Sequence, residues 1–281
     1  MSALNRIEEI ELEESRKTAQ ESPENVLLQE NKLKYSHPYD KRHLKYFYSQ
    51  VLRVISSLGC RKLIFLGGGS GNEAAYVRSR LSADHEVILT DLSQLELQHH
   101  KKVFKNYSAP FPRGVIACSF HRVPFKKLSG EYCGIAFLCL HHSESMEPII
   151  SHLLEIFDQL VILEPMTNSL LDFLAQWGIT QRAEGVDYRP SRIHLSFFEN
   201  LKNEFSVNVK TYFQIPRDYL PFLSHKQKVI FKEEELQGEA ILSMWYFRLQ
   251  FILNKILSLV RFGNLALIHI KRKSSSPPPG Q

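Results

Sequence analysis

The chain carries four glycines within five positions, in the run Lys62-Leu-Ile-Phe-Leu-Gly67-Gly-Gly-Ser-Gly71. An apolar segment of strand length enters the run, and Asn72 to Leu81 leaves it with helical character. Glycine tolerates backbone dihedrals that other residues avoid, so such a turn can pass close to a ligand. The helix that follows turns free N–H groups and its positive end toward the same place. A second strand-like segment, Glu86 to Thr90, ends in Asp91, about 20 residues beyond the turn, where an acid can accept hydrogen bonds from ribose hydroxyls. Strand, glycine turn, helix and acid-tipped strand predict an α/β sheet and a nucleoside-containing cofactor.

The rest of the chain keeps that rhythm. Strands are expected at 62–66, 86–90, 114–119, 133–140 and 159–164, and helices at 36–58, 72–82, 93–104, 145–157 and 168–177. Apolar strands alternating with helices build a parallel sheet covered on both faces. Two further strands, 207–215 and 264–271, finish it, with a long helix at 233–262 between them. With 43% hydrophobic residues in 281, the chain can fill such a core.

Charge divides the chain differently. Residues 1–31 hold eight Glu against Arg6, Arg16 and Lys17, a net of −5; the total is +5, which leaves +10 for the rest. The arm, 1–35, reads as a Glu-rich extension, helical or disordered, and as a solvated helix rather than a tail folded on the body. The body has no run of Lys and Arg with interleaved aromatics, so nucleic acid is a minority reading. Residues 274–281 close the chain as a disordered tail within the basic, Ser/Pro-rich stretch from Lys271. The four cysteines form no C-x-x-C pair and read as buried free thiols, hence a reducing, cytoplasmic setting. No signal peptide is read at the N-terminus. The twelve histidines show no zinc spacing, and no metal is expected.

In order, these motifs resemble those of the class I S-adenosylmethionine-dependent methyltransferases, over residues 38–273. The strand with Gly67, Gly69 and Gly71 matches the first family motif, Asp91 the second, and Ser119-Phe120-His121-Arg122-Val123-Pro124-Phe125 the third. Leu140-His141-His142 after the fourth strand and Glu164-Pro165 after the fifth resemble the small-molecule branch, the ubiquinone- and menaquinone-methyltransferase-like enzymes, as does the close from Gly263 to Lys271. The resemblance implies a Rossmann-like seven-stranded sheet with helices on both faces and a helical insertion, 216–262, before the last strand. It implies S-adenosylmethionine as cofactor. Gly67, Gly69 and Gly71 would approach its methionine half, Asp91 its ribose, and Leu92 and Phe120 its adenine, with Ser119 at the adenine edge. Tyr39, of the pair Tyr39-Asp40, would cover the methionine end. Two positions depart from the family: Phe65 and Ser119 stand where it usually has acids.

Methyl transfer from a sulfonium mainly needs alignment and exclusion of water, with a base if the acceptor is a hydroxyl. His141 and His142 lie at the carboxyl edge of the sheet, where open α/β sheets bind ligands. One of them is expected to line the acceptor site and serve as base; the alternative is a loop histidine bonded to backbone. The loop also fits a dinucleotide fingerprint from Gly69 to Ala74, but that register leaves two glycines unused. The apolar stretch Ile241 to Val260, with Arg248 and Lys255 on one helix face, reads first as a lid over the acceptor pocket, then as a dimer interface, then as an interfacial membrane helix. The expected acceptor is therefore a small, hydrophobic or aromatic molecule, and the expected assembly a monomer or homodimer. A catalytically inactive scaffold and an RNA or protein methyltransferase are the competing readings.

Overall fold

The computed structural model describes residues 9, 10, 12, 13, 16, 23–128, 130–167, 191–215, 237–257 and 262–273. Helices α1 (Pro23–Glu30) and α2 (Lys32–Tyr35) form the end of the N-terminal arm, and α3 (Pro38–Ser57) opens the body. Pro38 at its first turn suits the missing N–H there, and the His37 Nδ1 accepts from the Tyr39 N–H at 3.1 Å. The order then runs β1 (Lys62–Leu66), α4 (Asn72–Arg78), β2 (Glu86–Asp91), α5 (Gln94–Gln98), α6 (His100–Asn106) and β3 (Gly114–Ala117). It continues with β4 (Tyr132–Phe137), α7 (Met146–Ile156), β5 (Gln159–Pro165), α8 (Phe197–Leu201), β6 (Phe205–Tyr212), α9 (Gln237–Leu257) and β7 (Leu265–Arg272).

The seven strands form one sheet in the order β3-β2-β1-β4-β5-β7-β6. The first five are parallel; β7 runs antiparallel between β5 and β6. Because successive residues of a strand face opposite ways, each strand feeds two cores. Leu63, Phe65, Ile135, Phe137, Val161 and Leu163 pack against α3, α4 and α6. Ile64, Leu66, Ala136, Leu160, Ile162 and Ile268 pack against α7 and α8. The parallel strand order reverses direction between β1 and β4, which opens a crevice at their carboxyl ends.

All seven expected strands form, with boundaries that differ for identifiable reasons. The fourth stops at Phe137 rather than at residue 140, because Leu138 takes φ +50° and Leu140–His142 wind into a 3-10 turn. The third stops at Ala117, and Ser119 caps a second 3-10 turn, Phe120–Arg122. The helix expected at 93–104 breaks at His99. The His100 ring contacts the Leu97 carbonyl at 2.7 Å, the oxygen that the Lys101 N–H would otherwise use, and His99 closes a tighter turn on Glu96. The helix expected at 168–177 lies outside the described residues. Cys60, Cys118, Cys133 and Cys139 are free; all but Cys118 are buried.

The arm departs most from expectation. Helices α1 and α2 are packed against the body rather than solvated: Glu30 is 5% exposed and its carboxylate meets the Lys102 Nζ at 2.6 Å. The Gln29 carbonyl accepts from Ser70 Oγ and Asn72 Nδ2, and the Lys32 N–H donates to Asn72 Oδ1 at 2.9 Å. Helix α9 packs along α3, and no described residue of α9 lines the cavity at the glycine turn.

Gly134 and Gly114 provide a paired test of sheet packing. A Cβ at Gly134 would stand 2.8 Å from Leu160 Cδ1 and 3.1 Å from the Phe157 ring, whereas at Gly114 the nearest atom is 3.7 Å away. Gly134→Ala is expected to destabilise by roughly 1–3 kcal/mol, as overpacked cores do. Gly114→Ala should leave the denaturant midpoint unchanged or slightly raised. Urea unfolding of the two variants beside the parent checks both.

Candidate functional site

The cavity at the carboxyl edge is built around one carboxylate. Asp91, at the tip of β2, accepts from the Gly69 N–H at Oδ2 (2.7 Å) and from the Ser93 N–H at Oδ1 (2.8 Å). The Gly68 N–H donates to the Thr90 carbonyl, and Thr90 Oγ1 to the Phe65 carbonyl, so the glycine turn is stitched to β2 at two successive positions, Gly68 and Gly69, and β1 at a third, Phe65. Gly67, Gly69 and Gly71 all take positive φ. At Gly67 the need is also steric: a Cβ would stand 2.6 Å from Cys139 Cβ. Gly71, with φ +91°, caps α4 while Leu89 and Phe104 crowd the position a Cβ would take.

The cavity measures about 180 Å³. Gly67, Asp91, Leu92, Ser119, Phe120 and His142 line it, all of them expected from the sequence. Glu96, Leu138 and Leu12 line it unexpectedly. Apolar surface comes from Leu92, Phe120 and Leu138. Non-glycine residues at positive φ are uncommon and cluster at functional sites, and Leu138 is one of two among the described residues. Leu12 belongs to the acidic arm, so that arm contributes to the wall.

Four expected residues stand elsewhere. Gly69 and Gly71 shape the turn without facing the cavity. Tyr39 is fully buried between α3 and α9, its hydroxyl donating to the Ile215 carbonyl (2.7 Å) and lying 2.6 Å from Gln250 Oε1. Burial raises its phenol pKa, and the side chain joins α3 to α9. The histidine pair is split by Glu164. One Glu164 oxygen accepts the N–H groups of Cys139 and Leu140, at 2.7 Å each; the other meets His141 Nδ1 at 2.8 Å. His141 is thereby buried behind the 3-10 turn, while His142 faces the cavity with its ring 4.2 Å from that of His141. Glu164 caps the turn after the neighbouring strand, β4.

Acidic groups missing at Phe65 and Ser119 are present by another route. Phe65 is 2% exposed in the core, and Ser119 Oγ accepts from the His121 N–H. Glu96 and Glu73 supply carboxylates instead. They and Asp91 act on Lys32 of the arm, whose pKa is raised by Glu73 first and then by Glu96 and Asp91, against the opposite pull of burial. The Lys32 Nζ lies 3.6 Å from Glu73 Oε1, and Gln29 Nε2 donates to Glu96 Oε1 at 2.8 Å. Burial pushes the Asp91 carboxyl above its usual range, although its two backbone donors pull the other way. Burial also raises Glu96 to about 7; Lys32 lowers it, and Asp91 and Glu73 raise it further. A sequence signal for Glu96 did exist. Ser93 and Glu96 have capping-box spacing, and Ser93 Oγ accepts from the Glu96 N–H at 3.3 Å. Glu73 left no comparable mark beyond its place in the first turn of α4.

Among the described residues no cluster of His, Cys, Asp and Glu is suited to a metal ion. The donor set does fit a cationic nucleoside ligand: carboxylates beside a glycine turn that has no room for a side chain, with two apolar surfaces facing them.

Neither a family model nor a curated protein matches this sequence. Solved structures do. The YcgJ protein of Bacillus subtilis is 10% identical with a TM-score of 0.52, over 82% of this chain and 100% of that one. The small RNA methyltransferase HEN1 is 12% identical with a TM-score of 0.52, over 84% of this chain but only 26% of its own. Magnesium protoporphyrin IX methyltransferase from Synechocystis PCC 6803, solved with bound SAH, is 12% identical over 83% of each chain, with a TM-score of 0.48. The likeness establishes the fold: a class I, Rossmann-like methyltransferase sheet of seven strands.

Glu96 gives the site a pH signature. Its folded pKa, about 7, lies above the ordinary 4.5, so the folded state holds a proton that the unfolded state has lost between those values. Stability therefore falls as pH rises through that window. Glu96→Gln is expected to remove part of this fall, and melting temperatures of both proteins measured across the window read it directly.

Proposed function

We propose that the cavity binds S-adenosylmethionine and that the protein transfers its methyl group to a small, hydrophobic or aromatic acceptor. One observation carries the reading: Asp91 and Glu96 line the cavity at the glycine turn, and the Lys32 ammonium lies 3.6 Å from the nearby Glu73. A site that draws an internal cation into a carboxylate cluster suits a cofactor bearing a sulfonium and an ammonium. The second carboxylate beside Asp91 also answers the absence of acids at positions 65 and 119.

When bound, the sulfonium supplies an electrophilic methyl with a good leaving group. The residues of this chain bind, orient and exclude water. Asp91, fixed by two backbone donors, accepts from ribose hydroxyls. Leu92, Phe120 and Leu138 provide the surfaces for the adenine, with Ser119 at its edge. Gly67 lets the backbone approach. His142 faces the cavity and can take a proton from an acceptor hydroxyl, and the His141–Glu164 pair behind it fixes the turn that presents it.

Calorimetric titration with S-adenosylmethionine and with its demethylated product is the direct test. Micromolar binding that Asp91→Ala abolishes is the expected outcome. Absence of binding to the folded protein, both full-length and lacking residues 1–35, would overturn the reading in favour of a non-catalytic scaffold. For the chemistry, His142→Ala should lower kcat by roughly 10²- to 10⁴-fold on a hydroxyl acceptor with little change in cofactor affinity. An unchanged kcat would leave His142 as lining only.

A further inference from the structure

The outer face of α9 carries a row of large apolar side chains. Ile241, Trp245, Leu249, Ile252 and Ile256 are each 55–60% exposed. Their spacing places them on one stripe, roughly 22 Å long at 1.5 Å per residue. Single exposed hydrophobic residues are ordinary on a protein surface, but a continuous row marks a contact surface.

A basic groove lies beside this row. It has a volume of about 510 Å³ and is formed between α3, β6 and α9. Arg42, Lys45, Arg53, Lys210 and Lys255 line it, and no described carboxylate does. Burial and the nearby Arg53 depress the Lys210 pKa. Thr211, 3% exposed, also lines the groove, and its Oγ1 has no hydrogen-bond partner among the described residues. Row and groove meet on α9. Arg248 lies over the Trp245 ring (5.6 Å) and Lys255 over the Phe251 ring (5.1 Å), with their charged ends beside exposed apolar surface.

We propose that this face docks the protein on a bilayer surface bearing anionic headgroups, the α9 row entering the headgroup–acyl boundary while the groove cations hold the phosphates. Charge complementarity and the aliphatic row together select this occupant. Exposed isoleucine and leucine contribute nothing to nucleic-acid binding, and the groove's aromatic rings engage one another: Tyr46 meets Phe251 and Phe247 edge-to-face at 5.9 and 6.0 Å. A second copy related by a twofold axis through this face would bring two such basic grooves into one interface. No described helix is long and apolar enough to cross a membrane, so the contact is made at the surface. The inference does not rest on the methyl-transfer reading.

Vesicle flotation of the full chain tests it. One vesicle type is phosphatidylcholine alone; the other contains about a third phosphatidylglycerol. Binding is expected to the anionic vesicles only, with Trp245 quenched by brominated acyl chains and a Trp245→Phe control marking its share of the signal. Lys45→Gln with Arg53→Gln should weaken binding by about 25-fold, near fivefold per cation. Trp245→Asp with Ile252→Asp should abolish it while leaving the circular dichroism melt unchanged. If the aspartate pair fails to fold, quenching of Trp245 in the parent decides the point. Lack of binding to anionic vesicles would overturn the proposal, as would binding without Trp245 quenching. Equal loss of single-stranded RNA retention in the cation variant, with RNA bound more tightly than vesicles, would reassign the face to nucleic acid.

Discussion

The Asp91 carboxylate holds the site together. Its two oxygens accept from N–H groups on two different elements, Gly69 in the turn after β1 and Ser93 at the start of α5. A glycine turn alone is a floppy element, since glycine loses more conformational freedom on folding than any other residue. Here that cost is offset by bonds from Gly69 to Asp91, Gly68 to Thr90 and Thr90 to Phe65. The turn is fixed from the side of β2, which leaves its other side open to the cavity. Burial raises the Asp91 pKa while the Gly69 and Ser93 N–H groups pull it down, so its ionised form is held by backbone donors rather than by water.

Parts of the molecule with a short repeat in the sequence were the most legible. Strand periodicity and glycine placement located β1 without error and β2 to one residue, because apolar strands in a parallel sheet are continuous and bounded by turns. Ends set by single side chains were not legible. The break at His99 depends on one imidazole taking one carbonyl, and the end of β4 depends on Leu138 accepting a left-handed conformation. Neither has a pattern longer than a residue. Site residues divided in the same way. Gly67, Asp91, Leu92, Ser119, Phe120 and His142 follow motifs anchored to strand ends and line the cavity. Tyr39, on a helix, points toward Gln250, more than 200 positions away along the chain, and only tertiary packing decides that.

His141 and His142 show why adjacency in sequence says little about role. Consecutive residues in a 3-10 turn point about a third of a revolution apart. Glu164 is wholly buried and already commits one oxygen to two backbone donors, so its second oxygen can serve only the residue that turns inward. That residue is His141. The cost of burying a carboxylate without partners far exceeds that of exposing a histidine, which assigns His142 to the cavity.

The acidic arm was the least legible element, and electrostatics explains its placement. An excess of glutamate reads as solvation when counted over the arm, yet the residues that decide its position are few. Glu30 meets Lys102, and Lys32 enters the cluster of Glu73, Glu96 and Asp91. The second contact is the more consequential. Three carboxylates gathered at one turn repel one another, and a neighbouring ammonium relieves that repulsion in a partly buried setting where screening is weak. Any cation entering the cavity therefore meets groups that already face Lys32. Its affinity is set by a difference between two states: carboxylates shared with the arm, and carboxylates turned to the ligand. Leu12 lies in the same wall, so arm position and cavity volume are coupled as well. The arm thus belongs to the site thermodynamically, although it precedes the sheet in the chain and adds no strand to it.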